Sequence, residues 1–371
     1  MLDSSLFNEF DQESLVRSGL PGSAYTSERF FRLEQQQLFS NNWVFVGFAH
    51  DMTTRGDVRP IEVDGLPFFL LRNQQDNITA FHNVCQHRNL KLIDGDGNCG
   101  KIIRCPYHSW SYDLCGSLKN APYFGGQTSD LPEGFKVSDH GLVAVACEVW
   151  HDWVFVNLAA QPMSFEAFLA PIKKLLGDND VSDYVARTTL DFGEVPCNWK
   201  LLMENFIEPY HVQFVHRHTT DQPLEDHCTV VEGHCIGSAV EISEEKQLAN
   251  AGAGTLSVTS HYLALFPNFV MGTYYPDQLG VHLNQPLSPG LTRQRRVIYT
   301  HKNAIYSDAQ IQQLGDLWHK VHLEDHEMCI RLQQGRHSPL AEKGGMLSPV
   351  WENSVRRFQE LVADAIRPGL I

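Results

Sequence analysis

Asn198 to His216 reads NWKLLMENFIEPYHVQFVH, and two histidines within it, His211 and His216, follow a carboxylate, Glu208. Glu208 and His211 share one helix face at i, i+3 spacing. His216 does not, because five residues at about 100° each carry it about 140° round from His211. One metal ion therefore takes both rings only if the helix ends or distorts between them. Pro209 supplies a cause by removing a backbone donor and disfavouring α geometry at Glu208. The stretch predicts a broken helix wrapped on a metal, and two histidines with a carboxylate and open positions suit non-haem Fe(II) and O₂. On these residues alone, two unrelated histidines are an equal reading.

Upstream, from Trp43, short alternating runs (WVFVGF, DVRPIEV, PFFLLR, ITAFHNV) are punctuated by Asp64-Gly65 and Asn73 to Asn77, which predicts an antiparallel all-β module. Inside it stand Cys85-Gln86-His87 and, after seventeen residues, Cys105-Pro106-Tyr107-His108. Structural zinc prefers other spacings, and a one-residue gap between Cys and His is awkward for one tetrahedral ion. A Rieske [2Fe–2S] centre takes two cysteines on one iron and two histidines on the other, which this pattern supplies. The module closes with HGLVAVACEVWHDWVFVNLA near Leu158, and Gln161-Pro162 marks the boundary. Three segments follow: a helical N-terminal 1–42 expected to pack on the catalytic part, a Rieske domain 43–158 and a catalytic domain 159–371. In the last, SFEAFLAPIKKLL reads as a helix with Ser164 as N-cap. The runs CTVVEG, SAVEIS, LSVTSHYLALF, FVMGTYYP, LGVHLNQPLS and RQRRVIYTH read as a curved antiparallel sheet.

The last long helix begins at a capping box, Ser307 with Gln310. Ile311, Leu314, Trp318, Val321, Met328 and Leu332 then recur every three or four residues, and Asp325 occupies the missing place in that stripe. A carboxylate on a buried face costs several kcal/mol unless it is paired or metal-bound. Asp325 is thus the expected third ligand, while Glu324, about 100° away, reads as solvated. His319, His322 and His326 share one face, and HLEDH is similar to a zinc-protease helix, but Leu323 stands where that motif needs Glu. They read as solvent-facing or as supporting neighbours of a ligand.

Lys plus Arg number 29 against 44 acids, a net charge of −15, which argues against nucleic acid or anionic membrane as partners. A length of 371 residues suggests two or three domains. Nine scattered cysteines point to thiols or metal ligands rather than a disulfide framework. The N-terminal acids and the lack of a long apolar run make a cytoplasmic location the default expectation.

The segments CQHRNLKL and CPYHSWSYDLCGSLKNAP resemble the Rieske domain of Rieske non-haem iron oxygenases, and NWKLLMENFIEPYHVQFVH resembles their mononuclear iron motif, in the family's order. The resemblance implies an α+β chain, an all-β Rieske domain plus a helix-grip catalytic domain. It implies Cys85 and Cys105 on one iron of the cluster, His87 and His108 on the other, and His211, His216 and Asp325 on the mononuclear Fe(II). Glu208 takes the position of a carboxylate that bridges the two metal sites between neighbouring subunits, so a homotrimer is implied. Many members carry Asp there; Glu is similar to the carnitine, choline and glycine betaine branch. Cys115 departs from the family pattern and is expected to be a spectator.

No Gly-rich dinucleotide fingerprint follows a strand, so electrons are expected from a separate NAD(P)H-dependent reductase. The expected reaction is hydroxylation by O₂ of a quaternary ammonium or N-methyl compound, with C–N cleavage. The support is Glu208 and the run Tyr262, Phe266, Phe269, Tyr274 and Tyr275, which could box a cation. An aromatic ring or acid is the alternative substrate, and plain sheet core is a third reading of those aromatics. Carboxylate recognition by Arg293, Arg295 or Arg296 has no support from spacing. A Rieske electron carrier without the second iron is the rival of another class.

Overall fold

From Trp43 onward the alternating runs pair as antiparallel strands. The computed structural model describes residues 4–220, 222–243 and 259–370. Two compact units are present: Phe39–Phe165, and a second built from Met1–Leu38 with Glu166–Ile371. In the first, seven strands lie in the order Val44–Phe48, Trp153–Asn157, Ala144–Trp150, Ile78–His82, Leu66–Arg72, Asp57–Val63, Gly97–Asn98. A three-stranded sheet joins Ile102–Arg104, Ser111–Asp113 and Leu118–Asn120. Asp64 and Gly65 take φ of 57° and 66° between the paired Val63 and Leu66. Positive φ at both central residues gives a turn whose twist matches the flanking strands. Phe69, Phe81, Trp110, Tyr112 and Leu118 pack into a core that includes Cys85 and Cys105.

The second unit holds a seven-stranded antiparallel sheet in the order Tyr184–Val195, Leu291–His301, Gln278–Ser288, Phe269–Tyr274, Thr259–Leu265, Cys235–Glu241, His227–Glu232. Register shifts at Ala186/Thr188, Asp191/Gly193 and Pro286/Ser288 bend the strands that carry them, and the sheet is curved. The strand expected from Leu256 is observed from Thr259; residues 256–258 lie outside the described residues. The helix Phe165–Leu176 forms as its pattern predicts. The N-terminal segment contains the helix Glu28–Leu33, whose Phe30 amide donates to the Ser27 hydroxyl at 3.3 Å.

Three helices position the site. Trp199–Ile207 packs on strands Thr259–Leu265 and Gln278–Ser288 and against the long helix Asp308–Arg336, while Asn353–Ile366 covers Cys235–Glu241. Asn198 fastens the first to the second. Its buried side chain accepts from the Lys200 amide at 3.0 Å, capping the helix, and donates to the carbonyls of Pro289 at 2.7 Å and Tyr25 at 3.3 Å. Its own amide donates to Gln333 Oε1 at 3.0 Å, a side chain of the long helix. One residue thus ties both helices and the sheet at a point behind the metal-ligand candidates.

Candidate active site

The helix Trp199–Ile207 stops where Pro209 requires it to. Glu208 is extended at φ −112° and ψ 141°, and a short helix, Val212–Val215, restarts beyond it. The break turns His216 back towards His211, so that the rings stand 5.2 Å apart between centroids. Asp325 reaches both from the long helix: its Oδ1 lies 2.9 Å from His216 Nε2 and 3.4 Å from His211 Nε2. Among the described residues, this is the one trio of histidine, cysteine and acidic side chains whose donor atoms converge within 4.8 Å.

The trio fits a divalent ion on three observations. Cis donors at bond lengths of about 2.1 Å stand about 3 Å apart, which is the spacing found. Asp325 Oδ1 is buried and lacks a hydrogen bond of acceptable geometry. The charges also demand a cation: burial pushes the His211 ring down, but the carboxylates of Glu208 and Asp325 outweigh it and raise the ring to about 10. For Asp325, burial pushes up, yet the two imidazoles hold its carboxyl well below the usual carboxylate range. Protons occupy that place when no metal does.

Each ring is aimed from behind by its own carboxylate. His211 Nδ1–H donates to Glu208 Oε1 at 2.5 Å, and the other oxygen of that carboxylate, Oε2, accepts from the amides of Tyr210 and His211. His216 Nδ1–H donates to Glu324 Oε2 at 2.9 Å, which also accepts from Thr219 Oγ1 at 2.8 Å. Such contacts fix tautomer and orientation, leaving Nε2 for the metal. Glu324 is therefore not a solvated side chain, as its helical angle suggested, but the partner of His216. The angle was measured from an apolar stripe, whereas a metal centre uses residues on either flank of the face it occupies.

The long helix departs from prediction in a second respect. Its inward face runs through Leu314, Val321, His322, Asp325, His326, Cys329 and Gln333; Leu332 is exposed and Met328 only half-buried. Of the three histidines read as solvent-facing or as supporting neighbours of a ligand, only His319 is exposed. His326 Nε2 meets Gln294 Oε1 at 2.5 Å, and His322 Nε2 meets His282 Nε2 at 3.3 Å. The sheet presents polar residues here, so polar helix residues are buried against them.

A cavity of about 580 Å³ opens beside the trio, bounded by Phe206, Tyr262, Tyr274, Tyr275 and Trp318. Tyr262, Tyr274 and Tyr275 thus line it, whereas Phe266 and Phe269 are buried sheet core. Phe206 and Trp318 were not read as cavity residues, because they lie on helices far from that aromatic run.

In the β unit, Cys85 and Cys105 head two loops with one hydrogen-bond frame. The cysteine amide donates to the carbonyl five residues on (Leu90 at 2.8 Å, Trp110 at 2.8 Å), and its carbonyl accepts from the amide four residues on (Asn89 at 2.9 Å, Ser109 at 3.0 Å). Asn89 and Ser109 both take positive φ, 57° and 59°. The frame sinks both sulfurs while His87 and His108 stand nearer solvent, their rings 4.6 Å apart at 75°. Tyr112 Oη lies 3.3 Å from Cys85 Sγ and accepts from the Gln86 amide at 3.0 Å, so its hydroxyl hydrogen is free to point at sulfur. These four donors are absent from the convergent sets of the described residues, and a quartet too spread for one ion suits two irons. Cys115 is exposed on the surface.

Residues 180–367 match the ring-hydroxylating alpha subunit (catalytic domain) family, and residues 42–132 match the Rieske [2Fe-2S] domain. The chain belongs to the ring-hydroxylating alpha subunits. In this family the Rieske domain binds a [2Fe–2S] cluster and the catalytic domain a mononuclear iron. The chain is 34% identical over 207 residues to the glycine betaine monooxygenase oxygenase subunit of Chromohalobacter salexigens, a match spanning 56% of the chain and only 45% of that relative. It is 26% identical over 361 residues to the chloroplastic choline monooxygenase of Arabidopsis thaliana, spanning 92% of the chain and 82% of the relative. The crystal structure of the quaternary ammonium Rieske monooxygenase CntA with L-carnitine superposes with a TM-score of 0.78 at 22% identity, covering 97% of each chain. Naphthalene 1,2-dioxygenase with indole gives 0.74 at 18%, over 96% of this alpha subunit and 95% of the other chain. Both structural likenesses establish the fold.

Proposed function

We propose that this alpha subunit is a Rieske oxygenase that hydroxylates an N-methyl carbon of a small quaternary ammonium compound. The observation that carries the reading is the trio of His211, His216 and Asp325 facing an aromatic-walled cavity. A ferrous ion held there would supply O₂ binding and activation, and a [2Fe–2S] cluster on Cys85, Cys105, His87 and His108 would supply single electrons. Phe206 and Tyr262 offer their faces to a methylated ammonium, attracting it by cation–π contact and excluding water. Glu208 and Glu324 hold the two imidazoles in the tautomer that leaves Nε2 free. Glu208 is the positioning residue that also offers a carboxylate to a Rieske histidine of a neighbouring subunit, which makes a homotrimer the working form. The reaction consumes one O₂, two electrons and two protons; one oxygen atom enters the C–H bond and the other leaves as water. The N–CH₂OH product then breaks its C–N bond to release formaldehyde, the nitrogen keeping the electron pair and the hydroxyl proton passing to solvent. The electrons come from an NAD(P)H-dependent reductase. No helix among the described residues is long and apolar enough to cross a membrane, and a cytoplasmic setting is part of the same proposal.

Relatives named glycine betaine and choline monooxygenase favour this substrate class over an aromatic ring or acid. The test pairs metal content with turnover. The reconstituted protein should hold about three irons per chain, two in the cluster and one at the trio, and with a reductase should release formaldehyde from a quaternary ammonium compound. Asp325→Ala should hold about two irons and Glu208→Gln about three, both without turnover. Two irons in the unaltered chain would make it an electron carrier, and turnover of aromatic acids alone would refute the ammonium substrate.

A further inference from the structure

Behind the cavity wall lies a cation with no carboxylate to balance it. Arg296, in strand Leu291–His301, has no exposed surface. Its guanidinium carbon lies 4.1 Å from the centroid of Trp318 and 5.3 Å from that of Tyr274. The Nη1 group lies 3.2 Å from His322 Nε2. His322 Nδ1–H donates to the Trp318 carbonyl at 2.9 Å, which leaves Nε2 as the acceptor for Arg296. The other two nitrogens, Nε and Nη2, are buried and meet no acceptor at good hydrogen-bond geometry, the Tyr274 hydroxyl being the oxygen that acts on the guanidinium. Among the described residues Arg296 makes no ion pair; the carboxylate that acts on it, Asp325, is committed to the trio. The fold also makes room for this charge: a Cβ at Gly280 would stand 2.4 Å from Nη2.

A guanidinium is seldom buried whole without an anion, since desolvation costs more than ring contacts return. Trp318, Tyr274 and His322 separate Arg296 from the cavity and also line it. Its field therefore enters the cavity through one layer of side chains. The rings that already stabilise the guanidinium gain less from a second cation on their other face, and the two cations would repel. This end of the cavity disfavours an ammonium and favours an anion.

We propose that Arg296 determines substrate choice by making the Trp318–His322 end of the cavity a carboxylate subsite, so that the protein takes quaternary ammonium acids in preference to quaternary ammonium alcohols. This rests on the proposed oxygenase function and names the substrate within it. The zwitterion lies with its carboxylate toward Arg296 and its methyl groups toward the trio. Arg296 acts through the intervening side chains and is a positioning residue.

Glycine betaine and choline form a matched pair, differing in a carboxylate against a hydroxymethyl group. Binding of each to the iron-loaded protein, measured without O₂, and the split of kcat from KM in turnover should be compared for wild type, Arg296→Gln, Arg296→Lys and Arg217→Gln. Wild type should bind glycine betaine at least about tenfold tighter than choline, as expected for one charge pair at partial screening. Arg296→Gln should lose that factor for glycine betaine while moving choline by less than about twofold, and Arg296→Lys should keep it. Equal binding of the pair by wild type overturns the inference whether or not the variants fold. So does a loss for Arg296→Gln that is alike for both ligands, since that marks a structural role. Arg217 lines the same cavity, and a preference erased by its substitution instead would move the subsite there. Binding of neither compound would sink the oxygenase reading of the substrate itself, a separate outcome.

Discussion

At the scale of single residues, the two metal-site candidates depend on atoms that touch a ligand rather than a metal. Tyr112 is one: its hydroxyl faces Cys85 Sγ at 3.3 Å while accepting from the Gln86 amide. A hydrogen bond to a cluster sulfur stabilises the reduced, more negative state and so raises the reduction potential. One such bond is worth about 1 kcal/mol, or about 40 mV for one electron. Tyr112→Phe should lower the Rieske potential by about 20–60 mV with the cluster content unchanged, which protein-film voltammetry would measure. Neither Tyr112 nor Glu324 was legible in the sequence as a supporting group. Both lie close in space to a ligand that is distant in the chain, or on a flank that periodicity assigns to solvent. The ligand candidates themselves were legible, because Cys-x-His, Cys-x2-His and a proline-broken helix leave few other readings.

At the scale of elements, the helix that carries the first two candidates is held by a buried ionic cluster. Lys200 and Glu34 are wholly buried and 2.6 Å apart, and Tyr25 Oη donates to Glu204 at 2.7 Å, with Gln359 bonding both. Burial pushes the Glu34 carboxyl up and the Lys200 ammonium down, and each partner's charge opposes that shift. Removing one partner strands the other: Lys200→Met should cost about 3–5 kcal/mol, whereas Lys200→Met with Glu34→Leu should recover most of it. Denaturant unfolding of the two variants would check this; equal losses would show that the pair itself is not what matters. The capping box of the long helix and the break at Pro209 were readable because capping and proline chemistry are local. The buried face of the long helix was read rightly at Leu314, Val321 and Asp325 but misjudged at Leu332, which is exposed, and at His322 and His326, which are buried, because burial was equated with apolarity. Its true neighbours are His282, Gln294 and Arg296 on the sheet, which make polar partners the better fit.

For the whole molecule, that polar interior gives one unit a vulnerability to acid. Burial pushes His282 and His322 well below the usual imidazole range and His326 down to about 4. A group whose pKa falls on folding contributes stability that is complete above its unfolded value, about 6.5, and is lost as pH falls towards the folded value. Between pH 6.5 and 5, His326 alone should withdraw about 2 kcal/mol. Melting followed from pH 7 to 5 should show the catalytic unit weakening, and His326→Gln should flatten its slope. An unchanged slope would mean that this ring titrates normally. The division into a β unit and a sheet-with-helices unit followed from strand periodicity, since alternation over many short runs has few folded solutions. The substrate was not legible to the same depth: Arg296 is one of three arginines within four positions, and only the strand's inward alternation singles it out.

The twin loops of the β unit have a consequence of their own. Both sulfurs lie within the core, while the imidazoles occupy the rim. With a [2Fe–2S] cluster held on these four residues as proposed, a chelator or oxidant diffusing in from bulk water would meet its imidazole side well before it could touch thiolate. Decay of the centre should run in one direction, shedding the outer ion first and leaving a sulfur-bound remnant, so an ageing sample would lose its electron exit before it loses its colour-bearing core.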